Sequence, residues 1–174
     1  EAARTRYHRG MPATFRIRPA VQADGAFLGD MMVEAANWGP GNPRPRYDVM
    51  DSAEYSRYVS GWMRPGDAGF VAMDAQSGPI GAAWYRMLPR SEPGFGYVGT
   101  GVPELIIGVR PIWRAHGVGR ALLQELCTHA RGRGFGRISL SVERGNFAQT
   151  LYRSEGFAVT EAGHGRDTMV KRLR

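Results

Sequence analysis

A single cysteine and the lack of any long apolar run are the first informative shortages in this 174-residue chain. One cysteine cannot form an internal disulfide framework, and the apolar helical pattern around Cys127 predicts a buried structural thiol. No apolar stretch approaches the roughly 18 residues of a membrane span, and the first residues lack the apolar segment of a signal peptide. We therefore expect a cytoplasmic protein without a membrane partner.

Lysine is nearly missing, and Lys171 is the only lysine among the 23 lysine and arginine residues. The net charge of the chain is +7. The arginines are scattered, and the arginine- and glycine-rich stretch 131–137 lies between a predicted helix and a predicted strand. This favours a tight solvated connection over an RNA-binding segment, which stays the weaker alternative. His8, His129 and His164 show no metal-ligand spacing. We therefore predict neither a nucleic-acid partner nor a metal.

The apolar patterns along the chain predict an α/β fold. Alternation predicts strands and one-faced spacing predicts helices, in a single domain with a mixed, twisted β-sheet of about six to seven strands flanked by about four helices. Residues 1–13 are basic and lack periodicity, so we predict a flexible N-terminal extension followed by a domain over 14–174. The predicted strands are 14–19, 69–74, 79–88, 104–109, 136–142, 156–161 and 167–172, and the predicted helices are 21–37, 51–63, 119–133 and 146–155.

Residues 114–120 read Arg-Ala-His-Gly-Val-Gly-Arg between a predicted strand and a predicted helix. Gly117 and Gly119 remove side chains that would keep a phosphate away from the backbone. The helix that follows provides unpaired N–H groups and the positive end of its dipole, and Arg114 and Arg120 add positive charge. The spacing matches neither the Walker loop nor the dinucleotide fingerprint. The segment therefore predicts a binding site for the diphosphate of another cofactor.

Two motifs carry a family resemblance. Arg-x-x-Gly-x-Gly at 114–119, preceded by Val-Arg-Pro at 109–111, resembles the acetyl-coenzyme A loop of the GNAT superfamily of N-acetyltransferases. Residues 146–157 are similar to the family's Asn-x-Ala-x-x-Leu-Tyr-x-x-x-Gly-Phe signature, in which Asn146 suits a helix N-cap and Gly156 a left-handed helix stop. The resemblance is close over about residues 79–160, and it implies a GNAT-like acyltransferase domain over 14–174.

The resemblance implies acetyl-CoA as cosubstrate. In that family the backbone of the fourth strand pairs with the pantetheine like an added strand. Gly108 fits either a bulge or close backbone approach there, or simple tolerance of glycine in a strand. The implied cofactor-binding residues are Ile107, Gly108, Val109, Arg114, Ala115, His116, Gly117, Val118, Gly119, Arg120 and Asn146.

The resemblance also implies two catalytic residues. Tyr152 occupies the position of a general acid that protonates the departing thiolate, although its ring could instead only pack in the core. Glu104 lies where family members often have a general base, which acts directly or through water. A carboxylate beside the apolar Leu105 and Val102 would have a raised pKa, whereas a solvated strand end would not.

The sequence does not identify the acceptor. The irregular stretches 38–50 and 89–103 are expected to line its pocket, since loops on a scaffold usually carry specificity. A small-molecule amine and a peptide both fit, and a homodimer is neither supported nor excluded. The predicted function is direct acetyl transfer from acetyl-CoA to an amine. The alternative is a noncatalytic acyl-CoA-binding regulatory module on the same fold.

Overall fold

The computed structural model describes residues 14–174, so the predicted extension over 1–13 lies outside the described residues. Single 3-10 turns at 22–24 and 111–113 accompany five helices and seven strands in this range. The helices are α1 Gly25–Ala36, α2 Arg46–Asp51, α3 Ala53–Ser56, α4 Val118–Gly132 and α5 Ala148–Ser154. The strands are β1 Phe15–Pro19, β2 Ala68–Asp74, β3 Gly78–Arg86, β4 Glu104–Val109, β5 Arg137–Glu143, β6 Ala158–Ala162 and β7 Arg166–Arg172.

The strands form one sheet in the order β1-β2-β3-β4-β5-β7-β6. All neighbouring strands are antiparallel except β4 and β5, which run parallel. The predicted α/β class with a mixed sheet is therefore confirmed. The predicted hairpin between the second and third strands is present, and Gly78 at its turn has a φ of 74°.

β4 and β5 separate after one position. Glu104 pairs with Ser139, and no later residue of β4 pairs with β5. The antiparallel β3–β4 pairing on the other side continues regularly from Glu104 to Val109. The two parallel strands thus diverge toward their carboxyl ends, where α4 and α5 begin.

The sheet has an apolar core on each face. On one face the amphipathic α4 buries Leu122, Leu123 and Leu126 against the strands. On the other face α1 buries Leu28 and Met31 against β3 and β4. Burial of side chains of this size stabilises the fold by about 1.5–3 kcal/mol each. The two helices are thereby fixed on opposite faces of the sheet, beside the diverging strands.

The helix predicted over 51–63 is wrong. Ser52 is extended, with φ −75° and ψ 123°, so it separates α2 from α3. After α3 the chain makes turns instead of a helix, because the buried guanidinium of Arg86 binds the carbonyl oxygens of Arg57 at 2.9 Å and Ser60 at 2.6 Å. Asp67 completes this network by accepting two hydrogen bonds from Arg86, of 3.0 and 2.8 Å. A contact from a distant strand thus overrides the local helical pattern.

Cys127 is buried in α4, as predicted. Burial raises the pKa of its thiol to about 11, so the thiol is protonated at neutral pH. No helix within residues 14–174 is long and apolar enough to cross a membrane. Over the same residues, no three or more His, Cys, Asp or Glu side chains come together as a metal site would require. The cytoplasmic location stays a prediction.

Candidate active site

A cleft of about 680 Å³ lies between the diverging strands β4 and β5. α1 forms one wall, α5 forms another, and the segment 114–120 lies at one end. The volume is in the range of pockets that bind small molecules and cofactors. Besides Leu105–Val109 of β4 and Leu140–Glu143 of β5, its lining includes Met32, Trp38, Tyr55, Arg114, Ala115, Gly117, Val118, Gly119, Arg120, Asn146, Phe147, Ala148, Leu151, Tyr152 and Arg166.

The loop before α4 leaves several backbone N–H groups free. Ala115 and Gly117 have positive φ angles, of 61° and 81°, which turn the chain sharply into the helix. The first helical hydrogen bond runs from the N–H of Ala121 to the carbonyl oxygen of Gly117, at 3.1 Å. The N–H groups of the three intervening residues, 118–120, therefore have no partner within the helix. This arrangement is suited to bind an anion such as a phosphate.

The predicted loop residues do not all face the cleft. Arg114 lines it and contacts Glu34 at 3.4 Å. Arg120 also lines it and forms an ion pair with Glu155, so a bound diphosphate would compete with that carboxylate. His116 is not among the lining residues, and its ring packs edge-on against Trp113, with centroids 6.0 Å apart.

The backbone of β4 offers a free edge to the cleft. The N–H of Arg110, which directly follows β4, donates a hydrogen bond to the carbonyl oxygen of Ile80 in β3, at 2.8 Å. The alternation of an antiparallel ladder therefore turns the N–H and C=O of Ile107 and Val109 toward β5. No residue of β5 pairs with them. An extended ligand could add here as a strand.

Gly108 makes a close backbone approach, but to α1. A Cβ on Gly108 would lie 2.3 Å from the carbonyl oxygen of Met31. The regular β3–β4 register excludes a bulge at this position. Glycine is therefore required here so that α1 can lie against β4.

Tyr152 lies on the cleft-facing side of α5, where its side chain lines the cleft and is only 8% exposed. Burial raises the pKa of its phenol to about 12, so the hydroxyl keeps its proton at neutral pH. Among the described residues, none forms a hydrogen bond with this hydroxyl. Asn146 precedes α5, and its Oδ1 accepts a hydrogen bond from the N–H of Ala148 at 2.9 Å. This is the capping contact predicted for Asn146, although Phe147 is the residue directly before the helix.

Glu104 is buried beneath the point where the strands diverge, and it is not a solvated strand end. Its side chain does not line the cleft, and the residue is 3% exposed. Desolvation raises the pKa of its carboxyl to about 7, against the opposing effect of hydrogen bonds to Oε2 from the hydroxyl of Tyr58 and the N–H of Gly96. Oε1 is also buried and has no partner among the described residues.

A cluster of polar side chains that the sequence did not reveal lines the cleft on the face of the sheet opposite α4. The guanidinium of Arg166 donates to Ser141 and Glu143, at 3.0 Å each, and lies 4.1 Å from the ring centroid of Phe95. The indole N–H of Trp38 donates to the same carboxylate of Glu143. These residues come from four separate parts of the chain, so no local pattern could have indicated the group.

The stretches predicted to form the acceptor pocket are only partly used. Trp38 lines the cleft, and Phe95 packs against Tyr55 with centroids 5.5 Å apart. Tyr47 instead points to solvent with 66% of its surface exposed, and Arg46 forms an ion pair with Asp30. Tyr55, which lines the cleft, comes from the misassigned region 51–63.

The sheet is mixed, and its two parallel strands diverge and end beside the N-terminus of α4, where the first N–H groups are free. A domain of this kind is suited to bind an extended ligand that bears a phosphate. The sequence profile of the acetyltransferase (GNAT) family matches residues 30–157. The chain belongs to this family, as the two motifs predicted.

Related proteins support the assignment. A mycothiol acetyltransferase from Saccharomonospora viridis is 32% identical over 155 residues, which cover 87% of this chain and 48% of that protein. Another from Cellulomonas flavigena is 34% identical over 119 residues, covering 67% and 34%. An N-acetyltransferase from Thermoplasma acidophilum, crystallised with coenzyme A, has the same fold, with a TM-score of 0.68 at 18% identity and coverage of 91% and 98%. The chain spans about a third to a half of the length of the curated relatives it matches.

Proposed function

We propose that this protein is an acetyl-CoA-dependent N-acetyltransferase that transfers the acetyl group directly to an amine. The observation that carries the proposal is the continuity of the cleft. The free backbone edge of β4 leads at its carboxyl end to the unpaired N–H groups of α4, and Tyr152 lines the same cleft. Glu104 lies buried at the start of β4, beneath the cleft lining.

The residues of the cleft fit the chemistry of acetyl-CoA. The N–H groups of 118–120 and the guanidinium of Arg114 suit its diphosphate. The free N–H and C=O groups of Ile107 and Val109 suit the amides of its pantetheine arm, which the apolar side chains of Leu105 and Leu140 would flank. The structure of the Thermoplasma acidophilum relative with coenzyme A supports this choice of cosubstrate.

Two side chains would move protons. Acetyl-CoA supplies an activated acyl group as a thioester. Tyr152, protonated and without a competing hydrogen bond, would donate its proton to the thiolate that leaves. Glu104 would accept a proton from the acceptor amine through an intervening water, since its carboxylate lies beneath the cleft lining. A carboxyl pKa near 7 is suited to a general base at neutral pH.

The acceptor is proposed to be a primary amine that binds beside Trp38, Tyr55 and Arg166. The curated relatives are named mycothiol acetyltransferases, so a mycothiol-type acceptor belongs in any substrate panel. A small-molecule amine and a peptide amine are the other classes to include. Neither a nucleic-acid partner nor a homodimer is part of the proposal.

The test is release of free coenzyme A thiol from acetyl-CoA in the presence of amines, amino acids, peptides, aminoglycosides and mycothiol-type acceptors, with calorimetric binding of coenzyme A alongside. We expect thiol release that depends on one acceptor class. Binding without turnover on any acceptor would instead support the noncatalytic acyl-CoA-binding module. Absence of binding would contradict both functions.

A further inference from the structure

We propose that Tyr58 is a positioning residue for Glu104. Its hydroxyl fixes one carboxylate oxygen, Oε2, so that the other oxygen, Oε1, is the one that accepts the proton of the acceptor amine through the intervening water. This inference rests on the proposed function, because it assigns a role to the base of the same reaction. Tyr58 lies in the segment where the sequence predicted a continuous helix.

The hydrogen bonds around the carboxylate are unequal. The hydroxyl of Tyr58 and the N–H of Gly96 both donate to Oε2, whereas Oε1 has no partner among the described residues. A carboxylate oxygen with two donors is less basic than one with none. Oε1 is therefore the oxygen available to a proton.

The same hydroxyl links the carboxylate to the loop above it. Besides donating to Glu104, it accepts a hydrogen bond from the N–H of Phe95 at 2.7 Å. A Cβ on Gly94 would lie 2.2 Å from Oε1 and 2.4 Å from the Tyr58 hydroxyl. Glycine at position 94 thus preserves the space in which the two side chains meet.

The backbone around Tyr58 is held in place by hydrogen bonds from side chains of β3. The indole N–H of Trp84 donates to the carbonyl oxygen of Tyr58 at 2.9 Å, and Arg86 binds the carbonyl oxygens on either side, at residues 57 and 60. Arg86 and Asp67 are both almost completely buried, so this support is shielded from solvent. These backbone contacts fix the position from which the Tyr58 ring extends toward Glu104.

The charged groups around Glu104 come from separate elements. Arg166 of β7 and Arg57, which follows α3, favour the ionised carboxylate, as does the Tyr58 hydroxyl. Burial raises the pKa of Tyr58 far above neutral, so the phenol remains the donor throughout the range in which Glu104 titrates. Removing only the hydroxyl of Tyr58 leaves both arginines in place, so the effect of that hydroxyl on the pKa of Glu104 can be measured separately from theirs.

The experiment compares wild type with Tyr58→Phe by following the Glu104 carboxyl carbon in a 13C NMR titration, with the signal assigned through Glu104→Gln. Loss of a donor to the carboxylate should move the titration midpoint upward by about one pH unit. The acidic limb of kcat/KM should move with it, giving about tenfold lower activity at pH 6. Activity should recover above about pH 9, with the KM for acetyl-CoA little changed.

The matched control is Tyr85→Phe. Tyr85 is also fully buried, and its hydroxyl lies 3.1 Å from Nδ1 of His129 on the opposite face of the sheet. This variant should leave the titration of Glu104 unchanged, even if its melting temperature falls. If Tyr58→Phe does not fold, 3,5-difluorotyrosine at position 58 keeps the shape, donates more strongly and should move the midpoint downward.

An unmoved midpoint in both position-58 variants, or an equal shift in Tyr85→Phe, would overturn the inference. The NMR titration needs no acceptor. If wild type bound acetyl-CoA and transferred nothing, the proposed function would fail while the titration still decided whether Tyr58 controls Glu104.

Discussion

The buried carboxyl of Glu104 should make the stability of the protein fall as the pH rises. Its pKa is about 7 in the folded protein, against an ordinary value of 4.5, because burial penalises the charged form. The folded protein therefore binds this proton more tightly than the unfolded chain. The resulting stabilisation is complete below pH 4.5 and is lost as the pH rises through 7.

The difference in pKa sets the size of the effect. At about 1.4 kcal/mol per pH unit, the full change is about 3 kcal/mol, most of which falls between pH 5 and pH 8. With only 3% of the residue exposed, solvent screening does little to reduce it. Glu104→Gln retains an oxygen that can accept from Tyr58 and Gly96 but has no charge to desolvate.

The assay is urea unfolding of wild type and Glu104→Gln at several pH values from 5 to 8. All other titrating groups are shared, so they cancel in the difference between the two proteins. We expect wild type to lose about 2–3 kcal/mol relative to the variant over this range. Parallel stability curves would refute the reasoning, because they would show that Glu104 ionises in the folded protein as it does in the unfolded chain.

Three further changes test the cleft. Gly108→Ala should destabilise the fold by about 1–3 kcal/mol in urea unfolding, because the added Cβ would meet the backbone of Met31. The control Gly119→Ala should be tolerated, since its Cβ would lie 3.6 Å from the nearest neighbouring atom. Equal effects of the two substitutions would contradict this packing argument. Tyr152→Phe should lower kcat by about 10²-fold or more in the thiol-release assay, with little change in calorimetric affinity for coenzyme A; unchanged turnover would exclude Tyr152 as the acid. Gly117→Glu should abolish coenzyme A binding through its charge and its strained φ of 81°, while Gly117→Asn, which tolerates that conformation, should keep most of it; normal binding by the glutamate variant would show that the diphosphate lies elsewhere.

Predictions from local sequence were most accurate where one element could satisfy its own pattern. β4 begins and ends as predicted, and α4 differs by one residue at each end, since its apolar face alone specifies a helix. The stretch 51–63 has a similar apolar spacing, yet the carbonyl oxygens of Arg57 and Ser60 bind Arg86 from a strand more than 20 residues away. Helical periodicity cannot anticipate such a competitor.

Gly108 illustrates a residue whose special backbone environment was predictable while its cause was not. The sequence allowed close backbone approach or simple tolerance, and the close neighbour proved to be the carbonyl oxygen of Met31. Likewise, Arg114 and Arg120 were expected to add positive charge, but in the structure they form ion pairs with Glu34 and Glu155. Both outcomes depend on how α1 and α5 pack around the cleft.

The sequence by itself determined the α/β class, the family and the loop before α4, because these depend on short motifs and on periodicity within single elements. Only the tertiary structure decided the environment of the candidate base, Glu104, and which side chains line the cleft where the acceptor amine is proposed to bind. Tyr58 and Glu104 are 46 residues apart, and Trp38 and Glu143 are 105 apart. Burial, hydrogen bonding and the pKa of Glu104 arise from such distant contacts, which form only when the sheet and its two faces have assembled.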